Sequence, residues 1–213
     1  MNKNISVIID GTVGAGKSTL MNILKDLGFE AFPEPVVDNP LLDKFYHDKE
    51  KYSFPLQIEF LNKRFAHLKA SKAFERVTLD RSIYNDIIFA QMLRDSGDLP
   101  KEFYTIYEEL LENMLEHCEP PTLMIYLQIS VDEAIRRIQK RGRDFEQIVE
   151  RTYWEDLNSR YGAFFKEYNR SPLLVVDVSG LDFENNLEDR KFVIEKINEK
   201  FKELGYDLTL DNQ

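Results

Sequence analysis

Glycines, hydroxyls and one lysine are interleaved at Gly11-Thr12-Val13-Gly14-Ala15-Gly16-Lys17-Ser18-Thr19. Residues Gly11–Ser18 fit G-x-x-x-x-G-K-[ST], a spacing that cradles a nucleoside polyphosphate. The glycines let backbone N–H groups curl around phosphate oxygens, and the start of a following helix adds its dipole. Lys17 is placed to reach the β- and γ-phosphates of ATP, and Ser18 to ligate Mg²⁺. With Gly at about 7% of residues, a chance match in a chain this long is on the order of one in a hundred. The context is also right: the apolar run Ile5–Ile9 precedes the loop, and a helix-period stretch follows it.

Several protein classes use such a loop. Asp177-Val178-Ser179-Gly180 would pass as a GTPase switch, but it lies far downstream and no N-K-x-D guanine reader follows. An ATPase motor needs a larger domain. A small-molecule kinase needs an acceptor-side base, a second metal carboxylate and a cationic lid, and each has a candidate. Glu34 lies between Pro33 and Pro35, which stiffen its backbone, as a general base near an acceptor requires. Asp80-Arg81-Ser82 follows the apolar run Val77–Leu79, which puts Asp80 beside the loop as a second Mg²⁺ carboxylate and Arg81 near the transferring charge. The same pair could also be a surface Asp–Arg pair with Asp80 capping a helix. Residues 136–143 hold Arg136, Arg137, Lys140, Arg141 and Arg143, a basic island that reads as a phosphate lid hinged at Gly142. A solvated helix face explains Arg136 and Lys140 but not the continuation to Arg143. In the stretch 54–74, Phe54, Ile58, Leu61, Phe65 and Leu68 form an apolar stripe. Gln57 and Arg64 lie two turns apart along one edge of it, within about 20° of each other. Such an edge suits an aromatic base, although alone it is also an ordinary helix boundary.

Positioning these groups falls to strands expected at Ile5–Ile9, Phe29–Phe32, Val77–Leu79, Thr122–Ile129 and Leu173–Val178. Helices are expected near 17–27, 54–74, 84–94, 101–118, 131–141, 148–169 and 187–204. Ser130-Val131-Asp132-Glu133 reads as a capping box, Gly142 as the stop of the same helix, and Gly28 as the stop of the first. The alternation predicts an α/β fold: one domain over 1–213, with a parallel sheet gathering ligands at the strands' C-terminal ends. The 213 residues carry 28 Lys+Arg against 38 Asp+Glu, net −10, which disfavours nucleic acid or an anionic membrane as partner. A lone Cys118 leaves no internal disulfide framework and fits a reducing cytoplasm. His47, His67 and His117 lack ligand spacing, so no structural metal is expected.

Taken together, Gly11–Ser18, Glu34-Pro35, Tyr46, Gln57, Arg64, Asp80-Arg81-Ser82, Asp86, Arg137-x-x-x-Arg141-x-Arg143 and Glu146 resemble the deoxynucleoside kinases, most of all the bacterial branch. The resemblance runs over nearly the whole chain. It implies a P-loop kinase fold with a five-stranded parallel sheet flanked by helices, a short Arg-rich lid at about 141–152, and a homodimer packed through long helices. By that resemblance Glu34 and Arg81 sit at the 5′-hydroxyl of a deoxynucleoside, and Tyr46 and Glu146 hold the 3′-hydroxyl. Gln57, Arg64 and Asp86 address the base; Arg137, Arg141 and Arg143 form the lid; Asp182-Phe183 resembles the loop over the ATP adenine. Glu34 and Asp80 are both candidate catalytic acids, with Glu34 favoured as proton acceptor. Leu56 and Ala90 stand where relatives such as deoxycytidine kinase place phenylalanines around the base. The Arg64/Asp86 pair is similar to that of purine-accepting members, so deoxyadenosine or deoxyguanosine is the expected substrate, with deoxycytidine possible. The alternative is a thymidylate-type nucleoside monophosphate kinase, which the acceptor-side carboxylates Glu34, Asp38 and Asp43 disfavour.

Overall fold

The computed structural model describes residues 4–36 and 39–211; Asp38 lies outside the described residues. In chain order the elements are β1 (Ile5–Asp10), α1 (Lys17–Asp26), β2 (Glu30–Phe32), α2 (Leu42–His47), α3 (Lys49–Ser71) and β3 (Arg76–Asp80). A 3₁₀ turn (Ile83–Asn85), α4 (Ile87–Asp95), α5 (Lys101–Leu115), β4 (Leu123–Gln128) and α6 (Val131–Arg141) follow. The chain continues through α7 (Asp144–Gln147), α8 (Arg151–Lys166), β5 (Leu173–Asp177) and α9 (Leu187–Glu203). The described strands form one all-parallel five-stranded sheet in the order β2-β3-β1-β4-β5. Apolar runs without alternation are what a sheet covered on both faces demands. One face packs Leu20, Leu24, Val193, Ile197 and Phe201 from α1 and α9. The other packs Ile88, Met92, Trp154, Leu157 and Tyr161 from α4 and α8. The register sets Ile9 beside Asp80 and Asp10 beside Tyr126, so the loop after β1 emerges between the ends of β3 and β4.

Helix ends follow their local signals, with some shifts. Gly142 takes φ 70° and its N–H reaches the Ile138 carbonyl, closing α6 where expected. The capping box is only half formed. Ser130 Oγ accepts from the Glu133 N–H at 3.4 Å, but the Glu133 carboxylate binds Arg136 and Arg137, and the Ser130 N–H donates to Ser179 Oγ at 2.9 Å. Helix α3 begins at Lys49 rather than 54, because Asp48 caps a polar first turn by accepting the Lys51 N–H at 3.2 Å. Pro55 then sits inside the helix, where its missing N–H leaves the Lys51 carbonyl without that partner. The stretch 84–94 splits into the 3₁₀ turn and α4, and 148–169 starts only at Arg151 because residues 144–147 make their own turn. Helix α2 carries no long periodic stripe to announce it; Leu42 and Phe45 bury it against α3.

The polar edge expected along α3 is buried together with Leu56 and Leu61. Gln57 is 5% and Arg64 4% exposed, whereas Phe54, Ile58 and Phe65 are only partly buried. The helix is flanked by an apolar cluster and by the central cavity, and its polar pair faces inward.

Candidate active site

A cavity of about 520 Å³ opens at the C-terminal ends of the strands, lined by the loop after β1, by Glu34 and by residues of α2, α3 and α6. Val13, Gly14, Gly16, Lys17, Ser18 and Thr19 line it directly. Gly11, Thr12 and Ala15 are buried beneath, and the Gly11 and Thr12 carbonyls each accept a hydrogen bond from Lys17 Nζ at 3.0 Å. Burial, with Arg81 nearby, lowers the Lys17 pKa to about 8 against the pull of Asp80, Glu34 and Asp10. Gly16 has φ 93°, and a Cβ there would stand 2.6 Å from Phe183 Cζ, so both backbone and neighbour exclude a side chain. Ser18 Oγ donates to Asp80 Oδ2 at 2.5 Å. Asp80 Oδ1 is buried without a hydrogen-bond partner, and burial raises its pKa. A hydroxyl and a half-satisfied carboxylate at the phosphate loop are a donor set that Mg²⁺ fits.

Around Glu34 the charges are linked. Glu34 Oε1 lies 3.1 Å from an Arg81 nitrogen and 2.8 Å from Arg64, and Arg64 also binds Asp86. Burial alone would raise the Glu34 pKa, but Arg81, Arg64 and Lys17 together bring it down to about 2. Arg81 has φ 66°, a left-handed backbone that a non-glycine side chain rarely takes. Its N–H donates to the Ile9 carbonyl at 2.9 Å, and its guanidinium lies 5.0 Å from the Phe89 ring centroid and 5.7 Å from that of Tyr161. Strand end and aromatic rings together aim this arginine at Glu34. Gln57 and Leu56 line the cavity from α3. Ala90 is fully buried in the helical cluster and does not line the cavity; Phe60 and Phe89 supply the aromatic walls instead.

The basic segment divides in two. Arg137 is tied to Glu133 and to the Val178 and Leu181 carbonyls, each at 2.8 Å, which fixes it to the loop after β5. Arg141 and Arg143 instead converge on buried Glu146, at 2.7 and 3.5 Å. Burial, then the Glu146 charge, raises the pKa of Tyr46, which lines the same end of the cavity. Asp182 accepts from Asn185, and its N–H donates to Asp189 at 2.7 Å. Phe183 is buried against Gly16 rather than standing out over the cavity mouth, although its edge lines it.

The deoxynucleoside kinase family profile matches residues 7–202. The chain belongs to the deoxynucleoside kinase family. It is 40% identical over 209 residues to a deoxyguanosine kinase of Lactobacillus johnsonii, covering 93% of each protein. To a deoxyadenosine kinase of Lactobacillus acidophilus it is 38% identical over 209 residues, covering 93% of this chain and 97% of that one. Among solved structures, a deoxyadenosine kinase from M. mycoides with bound dATP superposes with a TM-score of 0.81 at 36% identity, covering 91% of this chain and 100% of that one. This likeness and the sheet order give a P-loop kinase fold.

In this deoxynucleoside kinase, three residues packed around Arg81 lie outside the sequence motifs. Asp10 ends β1, fully buried; one oxygen accepts the Gly11 N–H at 2.7 Å, and the carboxylate lies 4.0 Å from Arg81. Burial raises its pKa to about 6 despite Arg81 and Lys17. Phe89 and Tyr161 flank Arg81 from α4 and α8. Only Asp10 left a trace in the sequence, as an acid closing an apolar strand just before the loop.

Proposed function

We propose that this deoxynucleoside kinase transfers the γ-phosphate of ATP to the 5′-hydroxyl of a purine deoxyribonucleoside, in nucleotide salvage. The observation that carries this reading is the pair formed by Glu34 and Arg81 at the acceptor end of one cavity whose other end is the Lys17 and Ser18–Asp80 cluster. Glu34 accepts the hydroxyl proton, Arg81 steadies the carboxylate and the transferring charge, and Lys17 takes the β- and γ-phosphates. Ser18 and Asp80 would hold Mg²⁺, which would supply neutralisation of phosphate charge when bound. Gln57, Arg64 and Asp86 address the base, and Arg137, Arg141 and Arg143 the phosphates. Asp182 and Phe183 bound the ATP side. Relatives of similar identity are named for deoxyguanosine, for deoxyadenosine and for deoxyadenosine with deoxycytidine, which supports a purine-leaning acceptor site and keeps deoxycytidine as the alternative acceptor.

ATP consumption against the four deoxynucleosides and their monophosphates tests the reading. A purine deoxynucleoside should be the best acceptor and thymidine the poorest, because a base that leaves Arg64 and Asp86 unpaired in a dry pocket is costly. Thymidine first would sink the purine assignment. Activity confined to monophosphates would replace the reading with a thymidylate-type kinase.

In this reading Tyr46 and Glu146 hold the 3′-hydroxyl. Glu146 pairs with Arg141 and Arg143 on the same short segment, which supports a coupling of sugar binding to phosphate capture. A 2′,3′-dideoxynucleoside should lose about 10–100-fold in kcat/KM, the worth of a hydrogen bond to a charged group. Glu146→Ala should abolish that discrimination; a variant that keeps the wild-type ratio would place 3′-hydroxyl recognition elsewhere.

Phe103, Ile106 and Leu110 on α5 are 45%, 51% and 36% exposed, an apolar stripe that supports a homodimer packed through long helices. A monomer in sedimentation velocity would remove that assignment. Among the described residues no helix is long and apolar enough to cross a membrane, and the lone half-buried Cys118 supports the cytoplasm as the working compartment.

A further inference from the structure

One guanidinium serves two carboxylates that come from separate parts of the chain. Arg64 donates to Glu34 Oε1 at 2.8 Å through one nitrogen and binds Asp86 through the other, while its ring neighbour Phe60 lies 4.7 Å from the guanidinium carbon. The pair is not saturated. Arg64 Nε and Asp86 Oδ2 are both buried without a hydrogen-bond partner, leaving a donor and an acceptor unspent. Polar atoms of this kind are costly unless something pairs them, and a base edge offers complementary groups. Glu34, in turn, is over-supplied with cations. Arg64 and Arg81 both contact it, and Lys17 faces it from α1. Asp80 and Asp86 oppose them, and Tyr46 and Tyr161 face the same charge. A carboxylate held by two arginines is a weak proton acceptor, because efficiency in general-base catalysis falls with basicity.

We propose that Arg64 is a positioning residue shared between base recognition and turnover: a base that engages the Arg64–Asp86 pair draws the guanidinium off Glu34, and the carboxylate so released accepts the proton of the 5′-hydroxyl. In that step the O–H bond breaks and its proton passes to Glu34. The oxygen's electron pair forms the bond to the γ-phosphorus, and the bond from γ-phosphorus to the β-bridging oxygen breaks with release of ADP. Arg81 stays on Glu34 throughout. The inference rests on the kinase reading above and adds that the base edge sets kcat, not binding alone.

The test compares a purine deoxynucleoside with indole 2′-deoxyriboside at saturation. The indole keeps the sugar and the ring face but carries no hydrogen-bonding groups on its edge. Wild-type kcat should be about tenfold or more lower for the indole substrate, since Glu34 stays doubly held. In Arg64→Leu the two kcat values should agree within about twofold, and the indole substrate should turn over faster than in wild type. Because removing one partner of a buried ion pair can unfold a protein, Arg64→Leu with Asp86→Asn repeats the measurement without the stranded charge. Equal wild-type kcat values, with the difference confined to KM, would overturn the proposal and leave Arg64 as a base reader only. So would an equal loss of kcat for both substrates in the variants. If wild type phosphorylates neither nucleoside, the purine reading of the acceptor site fails and takes this inference with it.

Discussion

Glu34→Gln should lower kcat by about 10²–10⁴-fold while ATP binding survives, the usual contribution of a positioned proton acceptor. A 5′-hydroxyl is a poor nucleophile until its proton is taken as the new bond forms. Glu34 is the carboxylate proposed for the acceptor side, on a loop stiffened by Pro33 and Pro35 and braced by Arg81 and Arg64. Glutamine keeps the shape and leaves an oxygen to accept from Arg64, so the experiment removes charge and basicity rather than the whole contact. The two arginines retain Asp86 and Asp10 nearby, which favours a folded variant; a melting curve and ATP titration serve as controls. Asp80 answers the alternative. It sits on Ser18 beside the phosphate loop, so Asp80→Asn should raise the Mg²⁺ concentration needed for half-maximal rate. Near-normal kcat in Glu34→Gln, with lost turnover and unchanged metal dependence in Asp80→Asn, would reverse the two roles.

Lys17→Ala should abolish measurable transfer, a loss of at least about 10²–10³-fold in kcat at saturating ATP. Lys17 is the buried cation of the phosphate loop, and its Nζ is already oriented by the Gly11 and Thr12 carbonyls. Pre-orientation matters because a charge fixed before the reaction stabilises the developing phosphoryl charge without reorganising. Burial and Arg81 bring its pKa to about 8, so the ammonium form still predominates near neutrality. An arriving triphosphate strengthens that form. Methionine at the same position would separate charge from packing and should be as inactive as alanine. Wild-type turnover in either variant at saturating ATP would mean that this loop is not the donor site.

Legibility in the sequence followed the range of the interactions. The phosphate loop, the start and stop of α6 at Ser130 and Gly142, and the five apolar strands rest on neighbours a few residues apart, and they stand where the residues place them. The parallel sheet follows from strand–helix alternation, since parallel neighbours need a crossover between them. Helix α3 shows where that logic stops. Its apolar stripe was visible, but a stripe does not say which side meets a cavity, and the fold turned Gln57 and Arg64 inward. Nor could spacing reveal that Arg64 joins Glu34, thirty positions earlier, to Asp86, twenty-two later. Asp10, Phe89 and Tyr161 gain their meaning only by meeting Arg81, whose left-handed backbone no residue pattern announces. The sequence by itself determined the loop proposed for the donor, because a phosphate is gripped by a contiguous loop and the helix that follows it. Tertiary structure decided the charge cluster around Glu34, because its members come from separate elements and acquire their strengths only when burial strips away the water between them.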